Sequence, residues 1–282
     1  MEKMMANTQF SVSMCVYGGD RPEWFRVATD SILNQTRVPD EVVLVVDGPV
    51  PEELGSIISD YEKNPVFKVI RLAENRGHGD ARRIGLENCS YPLVALMDSD
   101  DISASDRFEL QLARFEEDPE LDIVGGNITE FVGDPDNIVG ERIVPEHDDR
   151  IKKYMKKRCP MNQVTVMFKR ESADRAGGYI DWYCEEDYYL WLRMALCDMR
   201  FANVPNMLVN VRVGKEMYRR RGGWRYYKSE ERLQRFMLKN KVIGFFTFMS
   251  NCTKRFIVQV LLPNRLRGWV FKKFARTSAN GK

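Results

Sequence analysis

Histidine is scarce in this chain of 282 residues, with only His78 and His147 present. The six cysteines, at positions 15, 89, 159, 184, 197 and 252, include no CxxC pair. These two scarcities argue against a zinc centre and against a disulfide framework, and a reducing compartment is the expectation. Long apolar runs are missing as well. Ile243–Met249 and Phe256–Leu262 fall far short of the ~20 apolar residues that a membrane-spanning helix needs. The opening MEKMMANTQF has neither the apolar stretch nor the small-residue cleavage site of a signal peptide. The expectation is a chain that is soluble or peripherally attached to a surface. Acidic residues vanish from one whole region: Arg232 to Lys282 holds twelve Lys and Arg and no Asp or Glu. With an overall charge of +2, that region carries +12 and residues 1–231 carry −10. Such asymmetry points the tail toward an anionic partner. There is no Walker A sequence, and Gly77-His78-Gly79 is followed by Arg82 where a dinucleotide fingerprint needs its third glycine. His78 then reads as a loop residue.

What is present reads as an ordinary globular protein: 44% hydrophobic and 30% charged residues exclude wholesale disorder. The first third alternates short apolar runs with helical spacing. Phe10–Val16, the β-branched Val42–Val46, Phe67–Leu72 and Leu93–Met97 predict strands. Between them lie helix signals. Asp20, Pro22 and Glu23 mark a start before Trp24, Val27, Ala28 and Ile32; another helix fits about 51–63, and Ala81, Ile84, Gly85 and Asn88 share a face. Strands alternating with helices imply right-handed crossovers and a parallel sheet, so the fold class is α/β. Beyond residue 120 the pattern predicts strands at Asp122–Val132, Val139–Val144, Val164–Phe168, Arg200–Val204 and Met207–Val213. Helices are expected near 148–157, 186–197 and 224–240. The division expected is a domain over 1–230, with halves of about 8–120 and 121–230, and a basic amphipathic helical tail over 231–282.

The chemistry concentrates at Asp98-Ser99-Asp100-Asp101, directly after an apolar strand. Open parallel sheets bind ligands beyond the carboxyl ends of their strands. Asp98 and Asp100, two residues apart, project to the same side if strand geometry persists. Like charges that close call for a hard cation, Mg²⁺ or Mn²⁺, which also bridges to a diphosphate. An EF-hand loop would use Asp98, Asp100 and Glu109 at its first, third and twelfth positions. Ile102 at a ligand position and Ser103 in place of the required glycine rule it out. A plain helix start at Ser103 or Ser105 is the structural alternative.

In order along the chain come Phe10–Tyr17, Leu44-Val45-Val46-Asp47-Gly48, Asn75-Arg76-Gly77 leading to Ala81-Arg82, and Asp98-Ser99-Asp100-Asp101. Asn162-Gln163, Gly177-Gly178-Tyr179 and Glu186-Asp187 before Leu190-Trp191-Leu192-Arg193 complete the set. By these residues, over roughly 10–230, the chain resembles the family 2 glycosyltransferases of the GT-A fold, in particular those that build bacterial capsular, exopolysaccharide or lipopolysaccharide chains. The resemblance implies a Rossmann-like mixed sheet flanked by helices and transfer of a sugar, with inversion, from a nucleotide diphosphate to an acceptor hydroxyl; UDP is the nucleotide expected on family grounds. It assigns Asp47 to the base, with Val16, Tyr17, Asn75, Gly77 and Ser99 around the nucleotide. Asp98 and Asp100 fall to the ribose, diphosphate and metal, and Asp187 to the catalytic base. Gly177, Gly178, Tyr179 and Glu186 fall on the acceptor side. Two positions depart from the family pattern: Arg83 stands where Asn is more usual, and Gln163 where many relatives have His.

In the tail, Phe245, Phe246, Phe248, Phe256, Trp269, Phe271 and Phe274 interleave with Lys254, Arg255, Arg265, Arg267, Lys272, Lys273 and Arg276. That mixture favours an anionic membrane surface and, with it, a lipid-linked acceptor. Packing of the aromatics on the catalytic domain is the alternative. Nucleic acid is not expected, since no recognition module is visible. The location expected is cytoplasmic, at the inner face of the cell membrane. The competing functional classes are a sugar-phosphate nucleotidyltransferase and a noncatalytic nucleotide-sugar-binding protein. The basic stretch Tyr218–Arg221 with Gly222-Gly223 is a candidate flap over the diphosphate.

Overall fold

The computed structural model describes residues 8–214 and 222–263. Four parallel strands form one half of a mixed sheet: β1 (Phe10–Tyr17), β2 (Glu41–Asp47), β3 (Phe67–Arg71) and β4 (Leu93–Met97), in the order β3-β2-β1-β4. The crossovers are α1 (Pro22–Leu33), α2 (Glu52–Glu62) and α3 (His78–Asn88). β2 shows why the sequence runs apolar without alternation. Val42, Leu44 and Val46 belong to the core on one face of the sheet, and Val43 to the core on the other. Each such side chain contributes about 1.5–3 kcal/mol when fully buried.

The sheet continues through β8 (Met167–Lys169), β6 (Ile123–Phe131), β9 (Phe201–Arg212) and the short β5 (Ile102–Ser103), with β7 (Ile138–Arg142) paired to β6. β8 runs antiparallel to both β4 and β6, so this half is mixed. Its helices are α4 (Arg107–Glu117), α5 (Asp148–Met155), α6 (Arg170–Arg175) and α7 (Glu186–Leu196). The chain then adds α8 (Trp224–Lys239) and α9 (Phe245–Phe256). No helix among the described residues is long and apolar enough to cross a membrane.

Several local expectations change. The strands expected at Arg200–Val204 and Met207–Val213 are one strand, β9. Pro205, which has no N–H to offer a ladder, sits where the register against Gly126 and Asn127 shifts, and the strand passes through. Val164–Phe168 is a strand only at its end, because Asn162 O accepts from both Thr165 N and Thr165 Oγ1 and winds Gln163–Thr165 into a 3₁₀ turn. Neither Ser103 nor Ser105 starts a helix: Ser103 pairs with Val209 in the sheet, and α4 begins at Arg107. The capping role read into Asp20 also fails. Arg21 occupies the N-cap of α1, and the Asp20 carboxylate turns away from the helix.

The domain boundary expected at residue 231 falls inside α8. Leu233, Met237 and Ile243 lie in the same buried cluster as Trp191 and Phe168. Asn251 on α9 donates to Lys156 O at 3.0 Å and to Gln234 Oε1 at 2.8 Å, so the first part of the tail is fastened to the body.

Two glycines give opposite expectations for stability. Gly48, at φ +87°, follows Asp47, and a Cβ there would meet Asn75 N at 2.6 Å and Glu74 C at 3.0 Å, both backbone atoms. Gly55 lies within α2, where a Cβ would find only Val50 Cγ2 at 3.7 Å. In urea unfolding, Gly48→Ala is expected to lower stability by about 1–3 kcal/mol. Gly55→Ala is expected to raise it by about 0.4–1 kcal/mol, through a stiffer unfolded chain.

Candidate active site

The carboxyl ends of β1, β2 and β4 open into a cleft of about 650 Å³. Val16, Tyr17, Asp47, Asn75, Gly77, Asp98, Ser99 and Asp100 all line it, as do Cys15, Asp20, Trp24 and His78. Every residue assigned to the nucleotide and the metal is therefore gathered in one place. Asp47, buried at the end of β2, shapes the far wall. Its two carboxylate oxygens accept from Arg76 N at 2.7 Å and Gly77 N at 3.0 Å, and Asn75 Nδ2 donates to Asp47 O at 3.2 Å. Gly77 holds φ +88° there, a conformation that favours glycine.

Near β4 the cleft is crowded with negative charge. Burial, then Asp98 and Asp20, push the Asp100 carboxyl up to about 6, against the pull of Arg212. Asp101 is fully enclosed and raised well above the usual carboxylate range by burial and by Asp100 and Asp98. Asp20 is raised as well, mainly by burial, although Tyr17 N and Ser99 Oγ donate to its Oδ2. Two guanidiniums answer this charge. Arg212 at the end of β9 donates its N–H to Asp101 Oδ1 at 2.8 Å and its Nε to Asp100 O at 3.1 Å. Its guanidinium lies 4.4 Å from the Trp24 ring centre and 4.5 Å from that of Phe131. Arg82, only 2% exposed, reaches up from α3 and pairs with Asp98 Oδ1. Burial alone would lower the pKa of Arg82; Asp98, Tyr179, Cys15 and Glu186 more than reverse that.

From Arg82 the network crosses the cleft. Arg82 Nε donates to His78 Nε2 at 3.0 Å, and His78 Nδ1 meets Glu186 Oε1 at 3.1 Å. Glu186 opens α7, and Asp187 is the next residue. Burial tends to raise Glu186, but His78 and Arg82 hold it below the usual range. Asp187, half-buried, moves the other way: burial and then the Glu186 charge lift it to about 6. A carboxylate so placed is unprotonated at neutral pH yet basic enough to take a proton. Cys159 Sγ lies 4.0 Å from Asp187 Oδ2.

Glu186 and Asp187 do not line the cleft; of the remaining acceptor-side candidates, Tyr179 lies within electrostatic reach of Arg82, Glu186 and Asp187. Gly177 (φ +85°) and Gly178 (φ +60°) terminate α6, donating to Asp174 O and Ala173 O, and Arg193 fastens the turn through Ala176 O and Gly178 O. Tyr179 is buried in the core with Trp182 and Trp191. None of these three lines the cleft. The sequence reading assigned no part in ligand binding or catalysis to Arg82, His78, Asp20, Asp101, Arg212 or Trp24. One signal was available: His78 and Arg82 stand four apart on a helix and share a face.

Among the described residues no group of three or more His, Cys, Asp or Glu is arranged to hold a metal. Two carboxylates with surplus charge still fit a Mg²⁺- or Mn²⁺-type ion, which usually takes one or two carboxylates and fills its shell with water and substrate phosphates. A site demanding a complete protein cage would not fit.

Residues 11–176 match the family described as Glycosyl transferase family 2. The chain is 36% identical over 268 residues to the UDP-Gal:alpha-D-GlcNAc-diphosphoundecaprenol beta-1,3-galactosyltransferase of Escherichia coli, covering 95% of this chain and 97% of that protein. It is 34% identical over 269 residues to the amylovoran biosynthesis glycosyltransferase AmsE of Erwinia amylovora, covering 94% and 98%. Among solved structures, S. aureus TarS 1-349 in complex with UDP-GlcNAc superposes with a TM-score of 0.65 at 16% identity, over 94% of this chain and 76% of that one. The fold is thus the GT-A arrangement that the sequence resemblance implied. A match across more than half of the chain, with relatives aligned over nearly all of it, makes this protein a member of glycosyl transferase family 2.

Proposed function

We propose that the protein transfers a sugar from a UDP-sugar to a hydroxyl of a lipid-linked acceptor, with a divalent cation at Asp98 and Asp100 and inversion at the anomeric carbon. The observation that carries this reading is the cleft itself. Carboxylates with surplus charge meet a nucleotide-sized cavity, and a raised carboxylate, Asp187, is tied to its rim through Glu186 and His78. The E. coli relative named for UDP-Gal and a diphosphoundecaprenol acceptor, and the TarS complex with UDP-GlcNAc, support the choice of donor and acceptor.

The chemistry follows from the side chains. Asp47 holds the loop at 75–77 so that Asn75 and Gly77 form a wall for the nucleoside. Ser99 and Asp20 brace the turn after β4, and Arg212 fixes Asp100 and Asp101 from behind. A Mg²⁺ or Mn²⁺ ion at Asp98 and Asp100 would supply Lewis-acid stabilisation of the leaving diphosphate. Asp187 takes the proton of the acceptor hydroxyl as that oxygen attacks from the face opposite the leaving group, a single displacement.

We place the protein at the cytoplasmic face of the membrane. On α9 and the turn after it, Phe245, Phe246, Met249, Ile257 and Leu261 are exposed, Phe246 by 87%. Phe248 packs inward and Phe256 lies against Trp224 and Tyr227, so the aromatics divide between body and surface. Tyr218–Arg221 and the basic residues from Arg265 onward lie outside the described residues.

Three measurements test this reading. UDP-sugars at ~100 times their Kd are expected to stabilise the protein by about 2.7 kcal/mol when Mn²⁺ is present. Asp98→Asn with Asp100→Asn should abolish the Mn²⁺-dependent part of that shift; an unchanged shift would remove the metal site. Asp187→Asn is expected to keep UDP-sugar binding and to lower kcat about 10²–10⁴-fold. At saturating donor and metal, the wild-type rate should fall as pH drops through about 6, because protonation of Asp187 removes the base. That limb should be missing from Asp187→Asn. Finally, Phe245→Ser with Phe246→Ser should move the protein from vesicles containing phosphatidylglycerol into the free fraction, and sedimentation that does not change would discard the membrane face.

A further inference from the structure

His78 lines the donor cleft, but both of its ring nitrogens are engaged by the protein. A guanidinium only donates, so Nε2, which meets Arg82 Nε, accepts and carries no proton. The ring proton is left on Nδ1, aimed at Glu186 Oε1. The imidazole is therefore a directional connector from guanidinium to carboxylate. At its other end Arg82 holds Asp98. The path Asp98–Arg82–His78–Glu186 joins the residue that follows β4 to the residue that opens α7. A second contact follows the same line: a Cβ on Gly79 would lie 3.1 Å from Asp181 Cα, so the first turn of α3 is pressed against the segment leading into α7.

We propose that His78 is a positioning residue whose two hydrogen bonds hold the Asp187 end of α7 in register with the diphosphate end of β4. This rests on the reading of Asp187 as proton acceptor. The physical need is plain. The donor is bound by the parallel half of the sheet, while the base sits on a helix that links β8 to β9 in the mixed half. A misplacement of about 1 Å between reacting groups costs up to ~10²-fold in rate. α3 packs against β1 and β2, and His78 on its first turn is the point from which α7 is tied to that frame.

The test compares His78→Leu, His78→Asn, Glu186→Ala and the His78→Leu/Glu186→Ala double variant in the full chain, with thermal midpoints measured alongside. His78→Leu is expected to lower kcat for transfer about 10- to 100-fold while Kd for UDP stays within about threefold. His78→Asn, whose amide nitrogen stands near the Nδ1 position and still donates to Glu186, should lose less. The double variant should be no slower than the slower single variant, as expected when two residues act through one contact. Losses that multiply in the double variant would overturn the proposal. So would a UDP affinity that falls in step with kcat, because His78 would then act on the donor directly. If His78→Leu does not fold, the comparison of His78→Asn with Glu186→Ala decides on the same criteria. Asp187→Asn in parallel separates the two possible failures. Full turnover in Asp187→Asn overturns the reading of the base, whereas wild-type kcat in His78→Leu beside an inactive Asp187→Asn overturns the positioning role alone.

Discussion

Charge compensation across the carboxyl edge of the sheet is the constraint from which the rest follows. Asp20, Asp98, Asp100 and Asp101 crowd the turn beside the cleft; the Arg82 guanidinium pairs with Asp98, while Arg212 meets Asp101 through its backbone N–H and the Asp100 carbonyl through Nε. Unit charges 4 Å apart interact by about 4 kcal/mol at an effective dielectric of 20, so this grouping is expensive unless balanced. Asp100 and Asp101 are raised first by burial and then by their acidic neighbours, against the pull of Arg212. Each arginine also has a second task. Arg212 ties the end of β9 to the turn after β4, and Arg82 ties α3 to both β4 and α7.

The scaffold is built to bring these groups together. Gly85 on α3 leaves room for Ser13 of β1, which lets the helix lie close enough for Arg82 to reach Asp98 while fully covered. On the other side, Glu185 at the N-cap of α7 is buried and raised by enclosure and by Glu230, which is paired with Arg255 of α9 at 2.8 Å. Trp182 Nε1 donates to Ser229 O of α8 at 3.3 Å. The segment that leads into Asp187 is thus clasped between α3 and the helices α8 and α9. What looked in the sequence like an appended tail begins as part of the wall behind Asp187.

The parallel half was legible because its strands are buried on both faces, and that burial writes unbroken β-branched runs such as Val42–Val46. Asp98 and Asp100 were legible for a related reason: charge immediately after an apolar strand has few structural explanations. Elsewhere the signal was local and the cause was not. Pro205 suggested a break that a register shift absorbs, and Asn162 bends a run that reads as strand. Gly177 and Gly178 carried the turn chemistry of an α6 terminus, which sequence cannot tell from a loop at a ligand. His78, Arg82 and Arg212 were out of reach because their partners, Glu186, Asp98 and Asp101, come from distant parts of the chain. A histidine without neighbouring ligands reads as a loop residue until the fold supplies both of its contacts.

The helix that carries the exposed aromatics brings these threads together. An amphipathic pattern in α9 leaves two fates open for its Phe residues, and both occur: Phe248 packs inward while Phe245 and Phe246 face out. The inward face is held by Asn251, bonded to the end of α5 and to Gln234 of α8, and by Arg255, paired with Glu230 and bonded to Lys157 O. With one face fixed by buried polar bonds, the other has a set direction relative to α7. A surface that meets Phe245 and Phe246 therefore meets a body in which Asp187 already has a fixed orientation.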